Sequence, residues 1–394
     1  MRRSTIINYC TGCGACVSGN KADLIINKDG FPVAEPKADT FVPFCEDVCF
    51  ACGKQQYKNK TVNSVWGEVI SSKYAWSSDE KIRFKASSGG TLTALCLFLL
   101  ETGKVDGIVH TAENPSNPID TITTLSTCSE EIVTHSGSRY SPSAPLKSIH
   151  DYISDGKKYC FVGKPCDVAS LRNLMESDDR FKKTFVILLS FFCAGAPSIT
   201  ANETLLMKMG TNLKNCSSLR YRGDGWPGYA TAIDNRGHKF SLDYRSAWRD
   251  TLGRAIRPVC RFCIDGIGEM ADIVCYDAWY MDKDKKPIFD EAQGRNGVFC
   301  RTIRGESIFN EAVEKGYVVA SNYLDYNDEL PHFQRYQYTR RVTLLSTFLA
   351  MKLMFRPVPN YPLFYVFKLA RLGSFIKSYS RFIGTIKRIL KGKI

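Results

Sequence analysis

The stretches KKYCFVGKPCDVASLRNLMES (157–177) and KTFVILLSFFCAGAPS (183–198) decide the fold. In order they read as strand, tight loop, helix and strand. That is a βαβ unit, which implies a parallel pair of strands with a right-handed crossover. Cys166 falls in the loop just after the first strand, Tyr159 to Gly163, and Cys193 falls at the end of the second. Both thiols therefore belong at the carboxyl edge of a parallel sheet, where α/β folds bind their ligands.

The texture on either side is similar. KASSGGTLTALCLFLLETGKVDGIVH (85–110) predicts a helix from Thr91 to Glu101, a stop at Gly103 and a strand from Val105 to His110. After the βαβ unit come a hairpin around DNRG (234–237), a C-x2-C pair at Cys260 and Cys263, and a strand from Ala271 to Tyr276. One more strand and helix lie within 296–316, and the compact body closes near Asn327. The first 60 residues differ: they are cysteine-rich, with INKDGFPVAEP (26–36) reading as two extended pieces around an Asp-Gly turn. The expected class is mixed α+β and α/β. A small ferredoxin-like iron–sulfur module (1–60) precedes a larger flavin-binding α/β domain (61–330) and a basic helical tail (331–394).

Sixteen cysteines are more than packing needs, and their spacing sorts them. Cys10, Cys13 and Cys16 form a C-x2-C-x2-C run, which lets one tight loop supply three thiolates to a [4Fe–4S] cubane. The C-P that usually follows is absent, with Ser18, Gly19 and Asn20 in its place. Cys45, Cys49 and Cys52 are the candidates for the fourth ligand; Cys49 is preferred because DVCF resembles a worn V-C-P closure. A zinc site, a disulfide and a radical-SAM cluster are the competing readings of these six thiols. Cys166, Cys193, Cys260 and Cys263 make a second set of four, whereas Cys96, Cys128, Cys160, Cys216, Cys275 and Cys300 read as packing residues.

Ser87, Ser88, Gly89 and Gly90, opening the helix at Thr91, offer backbone N–H groups and a helix N-terminus to a phosphate, although small residues there also serve as a simple cap. Gly163, Lys164 and Pro165 form a second tight strand-to-helix loop. Arg222 and Trp226 in YRGDGWPG suit a ring or an anion. His135 and Asp277 are polar candidates of a more structural kind.

The charge is unevenly placed. Residues 335–394 contain 13 Lys and Arg and no Asp or Glu, and the rest of the chain balances. A basic segment of this kind, rich in aromatic and aliphatic residues, points to an anionic membrane surface rather than to nucleic acid. No apolar run reaches the roughly 18–20 residues of a spanning helix. MRRSTIINYC has no apolar leader core, so reduced thiols in the cytoplasm are expected, with the protein soluble or peripheral on the inner face of the cell membrane.

SSGGTLTAL, VDGIV, GKPC, CAGAPS, CRFC and ADIVCYDAW, in that order, resemble the motifs of the coenzyme F420 hydrogenase/dehydrogenase beta-subunit family. The resemblance covers roughly residues 5 to 315; Tyr276 stands where many relatives have glycine. It implies FAD near Ser87, Ser88, Gly89 and Gly90, with the Gly163–Lys164–Pro165 loop beside it; Thr91, Arg222 and Trp226 are added as contacts from the residues' own chemistry. It also implies a [4Fe–4S] cluster on Cys166, Cys193, Cys260 and Cys263, the second of two with that of the N-terminal module, whose fourth ligand the missing C-P leaves open among Cys45, Cys49 and Cys52. The implied activity is a flavin- and iron–sulfur-dependent oxidoreductase whose electron partner is ferredoxin or reduced coenzyme F420. Relatives of the bacterial type suggest a sugar intermediate of surface-polysaccharide synthesis as substrate. The rival expectation is a non-catalytic electron-transfer subunit of a membrane-associated complex.

Overall fold

Side chains that alternate between two apolar layers build the main sheet. The computed structural model describes residues 3–37, 39–52, 64–153, 156–323 and 325–392; the boundary expected at 60/61 lies outside them. Strands β1 (Ala22–Ile26) and β2 (Pro32–Pro36) form a small antiparallel hairpin. Its turn holds Gly30 at φ 76°, the left-handed conformation that an Asp-Gly pair accommodates. The main sheet begins with β3 (Ser71–Ser77), β4 (Gly107–Asn114), β5 (Asn117–Ser126), β6 (Tyr159–Gly163) and β7 (Phe185–Phe191). A separate three-stranded sheet follows, made of β8 (Cys216–Arg220), β9 (Tyr229–Asp234) and β10 (Lys239–Asp243). β11 (Ile273–Asp277), β12 (Asn296–Cys300) and β13 (Val318–Tyr323) complete the main sheet, in the order β13-β3-β12-β11-β7-β6-β4-β5.

Its central strands β11, β7, β6 and β4 run parallel, and the flanking ones are antiparallel. Tyr159 and Phe161 of β6, Phe185 and Leu188 of β7, and Val274 and Tyr276 of β11 enter one apolar layer. Cys160, Ile187, Leu189, Ile273 and Cys275 enter the other. Both faces are covered, so the strands read as near-continuous apolar runs. The Pro165–Ser177 helix packs in the first layer, and the Thr91–Glu101 and Ile303–Glu314 helices in the second. Cys96, Cys160, Cys275 and Cys300 are indeed packing residues of that second layer.

The C-terminal segment differs from the expected tail. Helices Arg335–Val342, Leu344–Leu353, Leu363–Arg371 and Phe375–Leu390 do occur, interrupted around the prolines. They are part of the body, which does not close near Asn327. Leu344, Phe348, Met351, Val366 and Leu369 share one buried cluster with Tyr9, Phe50, Val259, Phe262 and Ile264. Each such side chain contributes about 1.5–3 kcal/mol on burial.

The segment is also tied down by charge. Arg341 and Glu269, both almost fully buried, pair at 2.7 Å. Arg341 donates further to Val65 O (2.7 Å), Ile264 O (2.6 Å) and the Tyr365 hydroxyl (2.9 Å), and that hydroxyl donates to Glu269 (2.7 Å). Burying an ion pair is costly, yet removing one partner strands the other charge in the interior. Arg341→Ala is therefore expected to destabilise the fold by about 3–5 kcal/mol, read from the urea midpoint of the purified variant.

Candidate functional site

The carboxyl edge of the parallel strands gathers the second cysteine set. β6 ends at Gly163, and Lys164 N-caps the following helix, which places Pro165 and Cys166 in its first turn. β7 ends at Phe191, two residues before Cys193. The third contribution, Cys260 and Cys263, comes from a short helical turn at 258–262. All four thiols line one cavity with Lys164, Pro165, Gly195 and Arg340. Gly195, at φ 140°, lets the chain pass close to Cys260: a Cβ there would lie 2.9 Å from Ile256 and 3.1 Å from Cys260.

Two cations, the partly buried Lys164 and the buried Arg340, border this cavity. Lys164 pairs with Asp167 at 2.7 Å. Arg340, 2% exposed, has no carboxylate partner among the described residues. Its guanidinium donates to Cys260 O (3.0 Å) and Cys193 O (3.2 Å) and contacts Gln337, which also donates to Cys193 O (3.0 Å). Gly266 makes room, since a Cβ there would meet Arg340 at 1.6 Å. A buried guanidinium without a counter-charge is stabilised by an anionic group beside it. Four thiolates carrying a cluster would provide that charge, so the donor set and its surroundings fit a [4Fe–4S] group.

A second cavity is lined by Cys10, Cys13, Cys16, Cys45 and Cys49, with Phe41, Phe44 and Val48. The left-handed Gly12 and Gly14 make the tight C-x2-C-x2-C loop possible; a Cβ on Gly12 would lie 2.8 Å from Pro32 O, and one on Gly14 2.8 Å from Lys147 N. The charges of these thiols act on one another, Cys49 with Cys10, Cys13 and Cys16, and Cys45 with Cys49, Cys16 and Cys52. Hydrogen bonds from the Cys45 and Cys52 thiols hold the Cys49 thiol well below its ordinary pKa. Cys52 is buried but does not line the cavity. Arg257, 4% exposed, donates to Cys10 O (2.9 Å) and Pro32 O (3.0 Å), another buried cation beside thiols. Among the described residues no group of three or more His, Cys, Asp or Glu is arranged to hold a single metal ion. The thiols surround cavities instead.

The two cavities meet at Thr11, which lines both. Ser170 also links them: its hydroxyl lies 3.9 Å from Cys13 Sγ and accepts from the N–H of Phe50, which lines the Cys166 cavity.

The remaining predicted residues gather elsewhere on the same edge. Ser87 Oγ lies 3.5 Å from Arg222 O, and Ser88 Oγ donates to Arg295 O (2.9 Å). Gly89 abuts the start of β12: a Cβ there would lie 2.8 Å from Asn296 N. Gly90 is left-handed and N-caps the helix. The Thr91 N–H, expected to be open to a phosphate, is taken by Asn296 Oδ1 (3.2 Å). The buried Arg222 pairs with the partly exposed Asp277 at 2.7 Å. Burial works against the Arg222 charge, but Asp277 and nearby tyrosines hold its pKa above the ordinary value. Trp226 stacks on Trp279, centroids 4.7 Å apart, and Arg222 lies 5.0 Å from the Trp279 centroid. Arg222 Nη2 and Trp226 Nε1 are buried donors without an acceptor among the described residues. Those orphaned donors suit the oxygens of a flavin or its phosphates. The 138–143 segment connects the groups, with Ser138 N–H donating to Ser87 Oγ (2.8 Å) and Ser143 contacting Lys164. His135 lies beside His110, centroids 5.9 Å apart, and lines neither cysteine cavity.

Gln337, Arg340 and Arg257 are the residues that the sequence reading misses. The only hint of Arg340 is the pair Arg340–Arg341 in an acid-free segment, which reads as surface.

Residues 73–150 match the family model for the N-terminal part of the coenzyme F420 hydrogenase/dehydrogenase beta subunit, and residues 156–325 match the model for its C-terminal part. The chain is 24% identical over 269 residues to a coenzyme F420 hydrogenase subunit beta of Methanococcus voltae, covering 66% of this chain and 87% of that protein. It is 31% identical over 249 residues to the F420-dependent formate dehydrogenase 1 subunit beta of Methanococcus maripaludis, covering 62% and 60%. The match thus spans less than two thirds of the formate dehydrogenase protein. A chain of the F420-reducing [NiFe] hydrogenase complex from Methanosarcina barkeri superposes with a TM-score of 0.60 at 19% identity, over 76% of this chain and 99% of that one. The chain belongs to the coenzyme F420 hydrogenase/dehydrogenase beta-subunit family, whose members in these methanogens are subunits of oxidoreductases.

Proposed function

We propose that the chain is an iron–sulfur flavoprotein that passes electrons between a one-electron donor such as ferredoxin, or reduced coenzyme F420, and an organic acceptor. The observation that carries this is the pair of cysteine-lined cavities with Thr11 as a common wall. Cys10, Cys13, Cys16 and Cys49 would hold an outer [4Fe–4S] cluster, and Cys166, Cys193, Cys260 and Cys263 an inner one. FAD would lie among Ser87, Ser88, Gly89, Gly90, Arg222 and Trp226, with Lys164 beside it. Bound together, these groups supply one-electron transfer and its conversion to two-electron chemistry.

The chain's own residues do the rest. Cys49 is taken as the fourth ligand on its DVCF context; it and Cys45 line the cavity, and Cys52 does not. Arg340 and Arg257 bring buried positive charge to the carbonyl side of the ligand loops. Phe50, Val259 and Pro165 keep water from the inner thiols. As acceptor we favour a sugar nucleotide or lipid-linked sugar of surface-polysaccharide synthesis.

Anaerobic purification with iron, sulfide and flavin analysis tests the assignment, followed by titration with reduced F420 and reduced ferredoxin. About eight iron atoms and one flavin per chain, reduced by at least one donor, are expected. About four iron atoms, or zinc, would overturn it. Reoxidation of the flavin by a UDP-sugar marks the chain as the catalyst. Reduction without any organic acceptor marks it as an electron-transfer component whose catalytic partner is another chain.

A further inference from the structure

The last two helices bury one side and leave the other bare. Tyr365, Val366 and Leu369 fix the Leu363–Arg371 helix to the body, and Thr385 and Ile389 fix the Phe375–Leu390 helix. On the outside, Leu363, Phe364 and Phe367 of the first helix and Phe375, Ile376 and Tyr379 of the second are 53–84% exposed. Each trio has i, i+1, i+4 spacing, so each forms a single stripe, and the two stripes follow one another within seventeen residues. Each stripe sets three large apolar side chains side by side in water, which a monomer rarely does without a partner for them.

Charge identifies the partner. No acidic residue occurs from 335 to 394, and Lys368, Arg371 and Lys377 are interleaved with the stripes. Cores of protein–protein interfaces are depleted in lysine, whereas interfacial membrane helices combine such basic flanks with Phe and Leu. Lys368 Nζ lies 4.4 Å from the Phe364 ring centroid, so its stem covers apolar surface while its charge sits at the edge. We propose that these two helices form a shallow docking face for an anionic phospholipid surface, with the phenyl rings among the acyl chains and the lysines at the headgroups. This differs from a flexible basic tail: the face is rigidly joined to the body, and the bases used are Lys368, Arg371 and Lys377 rather than the buried Arg340 and Arg341. It does not rest on the redox assignment.

Vesicle flotation of the full chain tests it at roughly 0.1 M salt, with phosphatidylcholine vesicles either pure or about one-third phosphatidylglycerol. The protein is expected to float with the anionic vesicles only, and less so as salt rises. Phe364→Ser/Phe375→Ser/Ile376→Ser should weaken binding at least tenfold. Arg371→Gln/Lys377→Gln should weaken it about fivefold per charge. Since all five side chains are largely outside the core, an unchanged thermal midpoint checks the fold, and the charge variant decides alone if the serine variant fails to fold. Equal flotation with neutral vesicles, or binding that the folded variants leave unchanged, overturns the proposal. So does a dimer that the serine variant dissociates when the wild type does not float.

Discussion

Replacing Cys166 or Cys193 with alanine is expected to remove about half of the iron, from about eight to about four atoms per chain, and to leave the N-terminal site filled. The two residues close the ends of adjacent parallel strands and line one cavity with Cys260 and Cys263. A cubane short of one thiolate loses charge balance and a corner of its cage. Cys10, Cys13 and Cys16 stand on a different loop with its own left-handed glycines, and Cys49 at a separate helix end, so the loss should stay local. The sharper test is the spectrum: the remaining half should keep the signature that Cys13→Ala removes. Unchanged iron in the Cys193→Ala protein would sink the inner-site assignment, and complete loss would show that the sites assemble as a unit.

Arg340→Gln should lower the reduction potential of the inner centre while sparing the outer one. The guanidinium reaches the carbonyls of Cys193 and Cys260, two of the proposed ligands, and has no carboxylate partner among the described residues. Its charge therefore acts on the site with little local compensation. A unit charge several ångströms away at an effective dielectric near 20 is worth about 2–4 kcal/mol, on the order of 100 mV for one electron. Reduction adds negative charge, so removing the cation makes it harder. Potentiometric titration followed by EPR reads both centres in one sample. Arg340→Lys should recover part of the shift, because it keeps the charge without the forked contacts. If both variants titrate like the wild type, Arg340 has only a packing role.

What the sequence reveals follows the range of the forces involved. The βαβ unit was legible because apolar period and turn chemistry are local, and β6 and β7 pair in parallel as expected. The DNRG hairpin and the helix from Thr91 to Glu101 stand where predicted for the same reason. The inner thiols could be grouped because strand ends in a parallel sheet share an edge. The choice among Cys45, Cys49 and Cys52 has no such local signal: a C-x3-C-x2-C spacing on a helix end keeps all three close, and all three pack in one cluster beside Cys10 and Cys16. Arg340 and Arg341 were out of reach altogether. An arginine reads as surface until the carbonyls of Val65, Cys193, Cys260 and Ile264 and the carboxylate of Glu269 converge on it from distant parts of the chain. The excess charge of the C-terminal segment thus divides into two buried arginines that serve the interior, a half-buried Arg381 that donates to Arg261 O (2.9 Å), and bases such as Arg371 and Lys377 that face outward.

The packing of Arg340 against the inner thiols also sets a schedule. The ribosome delivers Cys166, Cys193, Cys260 and Cys263 in that order, and the arginine that closes over them comes 77 residues after the last. At roughly 5–20 residues per second this leaves about 4–15 s in which the nascent chain has its four sulfurs but not the helix that covers them. On the proposed assignment, a cluster delivered during synthesis would meet thiols that Arg340 does not yet border, whereas the finished protein holds that arginine against them by buried hydrogen bonds. Reconstitution of refolded apoprotein should accordingly be slower than loading during translation, a matter of timing that the finished fold conceals.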